Sequence, residues 1–245
     1  MKTIIRIATL PLFTALVIGC IPEKRIVWSP DGERAAVATP KGLFLINAEG
    51  KVLDSRPTGS AARCDWFRDG RRLAAVYGVK VKNWTELTAE FTPEQTSDIE
   101  KLAKTLHDRL LTYEGSWDDF KIDPDDKIPS AIQIGALLYM RDHRFEGLPE
   151  KLGERWEQFK TIEPDLWHMQ IFTVNQDKLE PGPVIMRSLS EILQPKVAPN
   201  GKNLAFLKAA DSENKEQAAL QVLPVDGGGV RIVAQNVARD YDWSP

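Results

Sequence analysis

Three histidines, two cysteines and one dense acidic stretch are the side chains of this 245-residue sequence best suited to chemistry. A metal-binding or catalytic histidine works with a partner at a fixed spacing, as in a helical pair four residues apart. His107, His143 and His168 form no such pair, and each reads as structural or solvated. No Gly-x-Ser-x-Gly elbow occurs, so a nucleophile with its base is not encoded here. The stretch Trp117-Asp118-Asp119-Phe120-Lys121-Ile122-Asp123-Pro124-Asp125-Asp126-Lys127 sets carboxylates beside two aromatics, a composition that suits calcium or a sugar site worked by paired acids. A calcium loop needs Gly at its sixth position and Glu at its twelfth. Counted from Asp123 those positions hold Ile128 and Ile134, and from Asp118 they hold Asp123 and Pro129. The stretch therefore reads as a solvated acidic loop. Gly227-Gly228-Gly229 reads as a turn, because no Lys-Ser/Thr pair follows it as in a phosphate loop. No cofactor and no metal site is expected.

The elements that would carry these residues are set by an internal repeat. Val27-Trp28-Ser29-Pro30-Asp31-Gly32-Glu33-Arg34-Ala35-Ala36-Val37 is echoed by Asp65-Trp66-Phe67-Arg68-Asp69-Gly70-Arg71-Arg72-Leu73-Ala74-Ala75-Val76. A third copy is Lys196-Val197-Ala198-Pro199-Asn200-Gly201-Lys202-Asn203-Leu204-Ala205-Phe206-Leu207, and Tyr241-Asp242-Trp243-Ser244-Pro245 begins a fourth. The spacings bracket the about 40–45 residues of a four-stranded propeller blade. Each copy reads as a strand, a tight Asp-Gly or Asn-Gly turn and a second strand. In the first copy Pro40-Lys41-Gly42 turns the chain into Leu43-Phe44-Leu45-Ile46-Asn47, and Ala48-Glu49-Gly50-Lys51 turns it again into Val52-Leu53. The third copy repeats this plan through Leu220–Val225 and Val230–Val233. Trp28, Trp66 and Trp243 share one repeat position and are expected in the blade core.

The run Trp28-Ser29-Pro30-Asp31-Gly32-Glu33-Arg34, with Leu43-Phe44-Leu45-Ile46-Asn47-Ala48-Glu49-Gly50 after it, resembles the repeat of TolB-like β-propellers. Phe67-Arg68 replaces Ser-Pro in the second copy, and Ala198 and Asn200 depart in the third. The resemblance implies a fold that is mainly β, a partial β-propeller of four-stranded antiparallel blades. It implies little about activity, because such propellers serve as docking platforms, as subunits beside peptidase domains and as sugar-processing enzymes.

The second blade is interrupted between Val81 and Trp167 by a mostly α-helical insert, residues 83–165. Thr92-Pro93-Glu94-Gln95 has the N-cap Thr, the N1 proline and the N3 glutamine of a capping box. Behind it Ile99, Leu102, Ala103, Leu106, Leu110 and Tyr113 fall on one helical face. A second helix is expected over Pro149–Lys160, and Ala131–Met140 is ambiguous between helix and strand. Trp84, Trp117, Trp156 and Trp167 bracket the insert and read as packing residues.

Residues 1–19 carry a basic start, Lys2 and Arg6, and an apolar run over 7–18 that is too short to span a bilayer, which is the pattern of an export signal. Leu16-Val17-Ile18-Gly19-Cys20 resembles the lipobox of bacterial lipoproteins. That resemblance implies cleavage before Cys20 and lipid attachment to its thiol, and Ile21 in place of Asp implies the outer membrane in a Gram-negative host. Cys64 then has no disulfide partner within the chain and reads as a structural thiol. The formal charge of −3, with no basic block, removes the electrostatic footprint of a nucleic-acid binder. No nucleic-acid partner is expected.

Domain organisation follows: 1–19 signal, 20–82 first blade and half of the second, 83–165 insert, 166–245 the rest of the second blade, the third and the start of a fourth. Three blades and a stub cannot close a ring that needs about four. The chain is thus expected either to be a fragment or to close by pairing with another chain. The functional expectation is a lipid-anchored, non-catalytic propeller of the cell envelope, exported and facing the periplasm, whose insert binds an envelope protein or a cell-wall component. The alternative is the propeller part of a larger hydrolase, peptidase-associated or glycan-active, with its catalytic groups beyond residue 245.

Overall fold

A computed structural model describes residues 25–89, 91–115, 130–209, 218–237 and 241–244, with the backbone alone at 60–62, 130, 131 and 209. The fold is mainly β, built from three four-stranded antiparallel meanders that follow one another along the chain. The first holds β1 (Ile26–Trp28), β2 (Arg34–Thr39), β3 (Gly42–Asn47) and β4 (Val52–Arg56). The second holds β5 (Ser60–Trp66), β6 (Arg72–Lys80), β7 (Asp165–Asn175) and β8 (Lys178–Ser188). The third holds β9 (Ile192–Val197), β10 (Asn203–Ala209), β11 (Ala218–Pro224) and β12 (Arg231–Val237). Successive sheets pack face to face, and their first strands β1, β5 and β9 lie side by side, as consecutive propeller blades do. Among the described residues no sheet closes on itself.

The repeated turn is built identically three times. The N–H of Ser29, Phe67 and Ala198 donates to the carbonyl of Arg34, Arg72 and Asn203 at 2.8, 2.9 and 2.9 Å. The glycine N–H of Gly32, Gly70 and Gly201 donates back to Ser29, Phe67 and Ala198, and each glycine has positive φ. Asp31, Asp69 and Asn200 accept from the N–H of Glu33, Arg71 and Lys202 at 3.1, 2.9 and 2.9 Å. The turn therefore needs an Oδ acceptor rather than a charge, which is why Asn replaces Asp in the third copy.

Strand alternation gives each sheet two apolar faces, so each can pack on both sides. Between the first and second sheets Ala36, Ala38, Leu43 and Leu45 meet Trp66, Leu73 and Phe172. Between the second and third, Phe67, Val76 and Met169 meet Ile192, Leu204 and Phe206. Trp66 Nε1 donates across the first seam to the Val27 carbonyl at 2.9 Å. Trp243 Nε1 makes the same bond from the start of the fourth repeat, to the Lys196 carbonyl at 3.1 Å. Val197 has no indole, and there the Asp65 carboxylate crosses the seam instead, accepting from the Val197 N–H at 2.7 Å. Trp28 departs from the core position expected of it. It is 50% exposed, because among the described residues no sheet lies against that face of the first sheet.

Among the described residues five helices stand between β6 and β7: α1 (Trp84–Thr88), α2 (Pro93–Thr112), α3 (Ser130–Asp142), α4 (Leu148–Leu152) and α5 (Arg155–Lys160). Thr92 and Gln95 form the expected capping box at the start of α2. Ile99, Ala103, Leu106 and Leu110 are buried in a core that the helices share with Val81 and Leu166 at the strand ends. Helix α3 resolves the ambiguity over Ala131–Met140, and Gly135 lets it approach α2, since a Cβ there would stand 3.2 Å from Ile99 Cδ1. The single helix expected over Pro149–Lys160 is two, because Gly153 takes positive φ (54°) and ends α4. Arg141 ties the two ends of the insert together, donating from Nη1 to the Ile162 carbonyl at 2.6 Å and from Nη2 to the Lys82 carbonyl at 2.5 Å. Among the described residues no helix is long and apolar enough to cross a membrane.

Candidate functional site

Where the chain leaves the second sheet for the insert, a cleft of about 420 Å³ opens at the seam with the first sheet. That volume falls in the range of small-molecule sites. The link from β4 to β5, Arg56-Pro57-Thr58-Gly59, forms one wall, and Tyr77, Val79, Gln170, Phe172 and Pro181 form the other. Gly59 has φ of 76°, and a Cβ there would lie 2.2 Å from the Gly78 carbonyl oxygen. Only glycine lets this link lie down on β6.

The polar groups of the cleft are fixed from behind. Tyr77 Oη donates to Gln170 Oε1 at 2.7 Å, and Gln170 Nε2 donates to the Gly182 carbonyl at 2.7 Å, so the amide is locked in one orientation. Arg56 Nε donates to the Leu179 carbonyl at 2.6 Å, while its Nη2 lies 3.8 Å from Asp54 in a side chain that is 40% exposed. Thr58 Oγ1 is buried with no hydrogen-bond partner. Burial pushes the Asp54 carboxyl up, but the Leu179 and Ser55 N–H groups with the Lys178 and Arg56 charges outweigh it and hold the group below the usual aspartate range. Arg56, Thr58, Tyr77 and Gln170 thus offer hydrogen bonds beside the apolar surfaces of Phe172, Val79 and two prolines. This lining suits the binding of a small polar group. It carries no acid–base pair with which to break a bond.

A second polar cluster lines the first strands. Asp65 sits beside Lys196, whose Nζ lies 3.3 Å from Asp242 and 5.3 Å over the Tyr241 ring and also donates to the Tyr241 carbonyl. Burial pushes the Asp65 carboxyl above the usual aspartate range, with the Asp242 charge adding to this and the Val197 N–H and Lys196 only partly offsetting it. Burial and the Asp65 charge likewise push the Tyr241 phenol up. These groups satisfy one another and seat the start of the fourth repeat on the third sheet.

The structure scatters the residues singled out in the sequence. His107 Nε2 bonds the Glu146 carbonyl at 2.8 Å, His143 Nδ1 bonds the Tyr139 carbonyl at 3.0 Å, and His168 stands edge-on to Tyr77 at 5.5 Å. Cys64 is buried, and burial with the neighbouring Asp65 charge pushes its thiol up to about 12, so it is protonated and unreactive. Trp84 packs edge-on against Tyr139 at 4.8 Å, and Trp156 stacks on Phe159 at 5.4 Å. Cys20, the signal segment and the acidic stretch Trp117–Lys127 lie outside the described residues. The cleft residues escaped the sequence reading. Their one local signal is the Pro-Thr-Gly link at 57–59, and Tyr77 and Gln170 meet only through strand pairing.

No protein-family model matches the chain, and no curated protein matches it. Among solved structures it is similar to an oligogalacturonate lyase in complex with manganese, at 10% identity and a TM-score of 0.42, over 86% of this chain and 40% of that one. It is similar to the acylaminoacyl peptidase of Pyrococcus horikoshii at 11% identity and a TM-score of 0.36, over 86% of this chain and 25% of that one. The periplasmic gluconolactonase of Pseudomonas aeruginosa gives 12% identity and a TM-score of 0.30, over 89% and 55%. The chain spans well under two thirds of each of these proteins. Scores this low transfer no activity to it.

Proposed function

We propose that this chain is a lipid-anchored binding protein of the cell envelope, a TolB-like partial propeller that holds its helical insert out as a recognition surface for an envelope protein or a cell-wall component. The observation that carries the reading is the mounting of the insert. Its described helices share a core with Val81 and Leu166 at the strand ends, and Arg141 clips both of its ends to one another. The cleft at its root adds hydrogen-bonding groups without an acid–base pair, which suits binding. The lipobox-like run ending at Cys20 supplies the anchor, and burial of acyl chains at roughly 0.8 kcal/mol per CH₂ holds a polar domain at a bilayer.

Removing the insert tests this reading. Lys80 and Asp165 are paired, so residues 81–164 can be replaced by an Asn-Gly turn that completes the β6–β7 hairpin. The expected result is that the full protein is retained on isolated cell-wall sacculi or by solubilised envelope proteins, and that the shortened form is not. Arg56→Ala and Thr58→Val should weaken the retention several-fold. Cys20→Ser should move the protein from the membrane fraction to the soluble one. Retention that survives loss of the insert, or membrane association that survives Cys20→Ser, overturns the corresponding half of the proposal.

A further inference from the structure

The three meanders stand in step, so each end of the assembly collects one set of links. At one end the repeated turns adjoin: a Cβ on Gly70 would meet Asp31 Oδ2 at 3.5 Å, and one on Gly201 would meet Arg72 Nη2 at 3.5 Å. At the other end lie the start of β1, the β2–β3 turn, the link after β4 and the last residues of β6, where the insert departs. There the Ala38 N–H donates to the Arg25 carbonyl at 2.8 Å, and Arg56 pairs with Leu43.

The two ends of the first sheet differ in charge. Residues 25, 39–42 and 55–59, at the insert end, carry Arg25, Lys41 and Arg56 and no acid. Residues 29–34 and 47–52, at the turn end, carry Asp31, Glu33 and Glu49 with Arg34 and Lys51. Arg25 and Lys41 are exposed and have no ion-pair partner among the described residues. Arg56 Nη2 stands 3.8 Å from Asp54, a carboxylate that Lys178 and the Leu179 N–H also answer. From Cys20 to Arg25 the chain is five steps long, which spans at most about 18 Å however it runs. A lipid on Cys20 thus holds the basic end of this sheet close to a bilayer.

We propose that the insert end of the first sheet sits on the bilayer, with Arg25, Lys41 and Arg56 against anionic lipid headgroups and the repeated turns pointing away. This orientation rests on the lipid anchor at Cys20 put forward above. A basic cluster beside an acyl anchor adds a second attachment, to which each cation contributes modestly. Residues 83–165 hold nineteen Asp and Glu against ten Lys and Arg, so the same headgroups repel the insert. It therefore stands beside the contact, open to a partner at the membrane surface.

The test reads depth at two exposed sites, Pro40 at the insert end and Glu49 at the turn end, which the rise of β3 sets about 17 Å apart. Pro40→Cys and, separately, Glu49→Cys would carry a fluorophore, since Cys64 is buried. The full chain, extracted from membranes in mild detergent and checked by intact mass, would be seated in vesicles of phosphatidylcholine, with or without phosphatidylglycerol, that bear nitroxide headgroups. The expected result is several-fold stronger quenching at Pro40 than at Glu49. Phosphatidylglycerol should increase the quenching at Pro40, and Arg25→Gln with Lys41→Gln should remove that increase. A mass without a diacylglyceryl increment at Cys20 overturns the anchor and the orientation together. The increment with equal quenching at both sites overturns the orientation and leaves the anchor standing. Quenching that ignores both phosphatidylglycerol and the double substitution overturns the headgroup contacts.

Discussion

The two seams between sheets solve one problem with opposite charge logic. Each has an aspartate reaching across to a main-chain N–H: Asp54 accepts from Leu179 at 2.8 Å in the first seam, and Asp65 accepts from Val197 at 2.7 Å in the second. Asp54 has Lys178 at 3.6 Å and Arg56 at 3.8 Å, and its carboxyl is held down. Asp65 is more deeply set, has Asp242 as well as Lys196 nearby, and its carboxyl is pushed up. The first seam also has a neutral indole bond from Trp66, so its carboxylate is an addition at the sheet edge. In the second seam Val197 has replaced the tryptophan and the carboxylate is the substitute. A repeat position can thus be served by unrelated side chains, provided that a donor and an acceptor still meet across the seam.

The largest effects should come from the apolar parts of the seams, which the carboxylates only trim. Phe206→Ala in the second seam should lower stability by about 3–5 kcal/mol and Leu43→Ala in the first by about 2–5 kcal/mol, read from denaturant midpoints. A single transition in each variant, coincident by different probes, would show that the two seams unfold as one unit. Asp65→Ala should cost about 1–3 kcal/mol, because it leaves the part-buried Val197 N–H without its acceptor. Asp65→Asn keeps an acceptor and should cost less, and equal losses for the two would mean that charge rather than hydrogen bonding holds this seam.

The smallest effect is the most diagnostic. A carboxyl whose folded pKa is raised binds protons more readily when folded, so its contribution falls as pH rises from the ordinary value of 3.8 through the folded value. A carboxyl whose folded pKa is lowered contributes fully above 3.8 and loses that contribution as pH falls through the folded value. Melting temperatures measured against pH should therefore diverge in opposite senses. Relative to the parent, Asp65→Asn should gain as pH rises above 3.8, and Asp54→Asn should gain as pH falls below it. Parallel curves would show that the two seams do not differ in this way.

The turns were legible in the sequence because their chemistry is local: Asp-Gly or Asn-Gly fixes the turn, and the apolar strands on either side follow. The capping box at Thr92 was legible for the same reason. The split between α4 and α5 was readable at Gly153 but outweighed there by the apolar spacing of Leu152, Trp156 and Phe159. The exposure of Trp28 was not readable, since a repeat position predicts a neighbour and only the assembled sheets show whether one is present. The cleft was least legible. Thr58, Tyr77 and Gln170 become neighbours only when β7 returns from the insert to pair with β6.

The grip of Arg141 on the Lys82 and Ile162 carbonyls has a consequence for the order in which the chain is built. The first sheet is assembled from hairpins of adjacent residues, whereas Lys80 must wait for Asp165. The entropy of closing so long a loop grows slowly, by about 0.6 kcal/mol per doubling of its length, but contacts this distant in sequence form late. A helical unit that gathers its own two ends under one guanidinium shortens the search, and the insert becomes the turn of the hairpin that it interrupts. Arg141→Ala should therefore register chiefly as slower refolding in stopped-flow measurements, with the unfolding rate changed less.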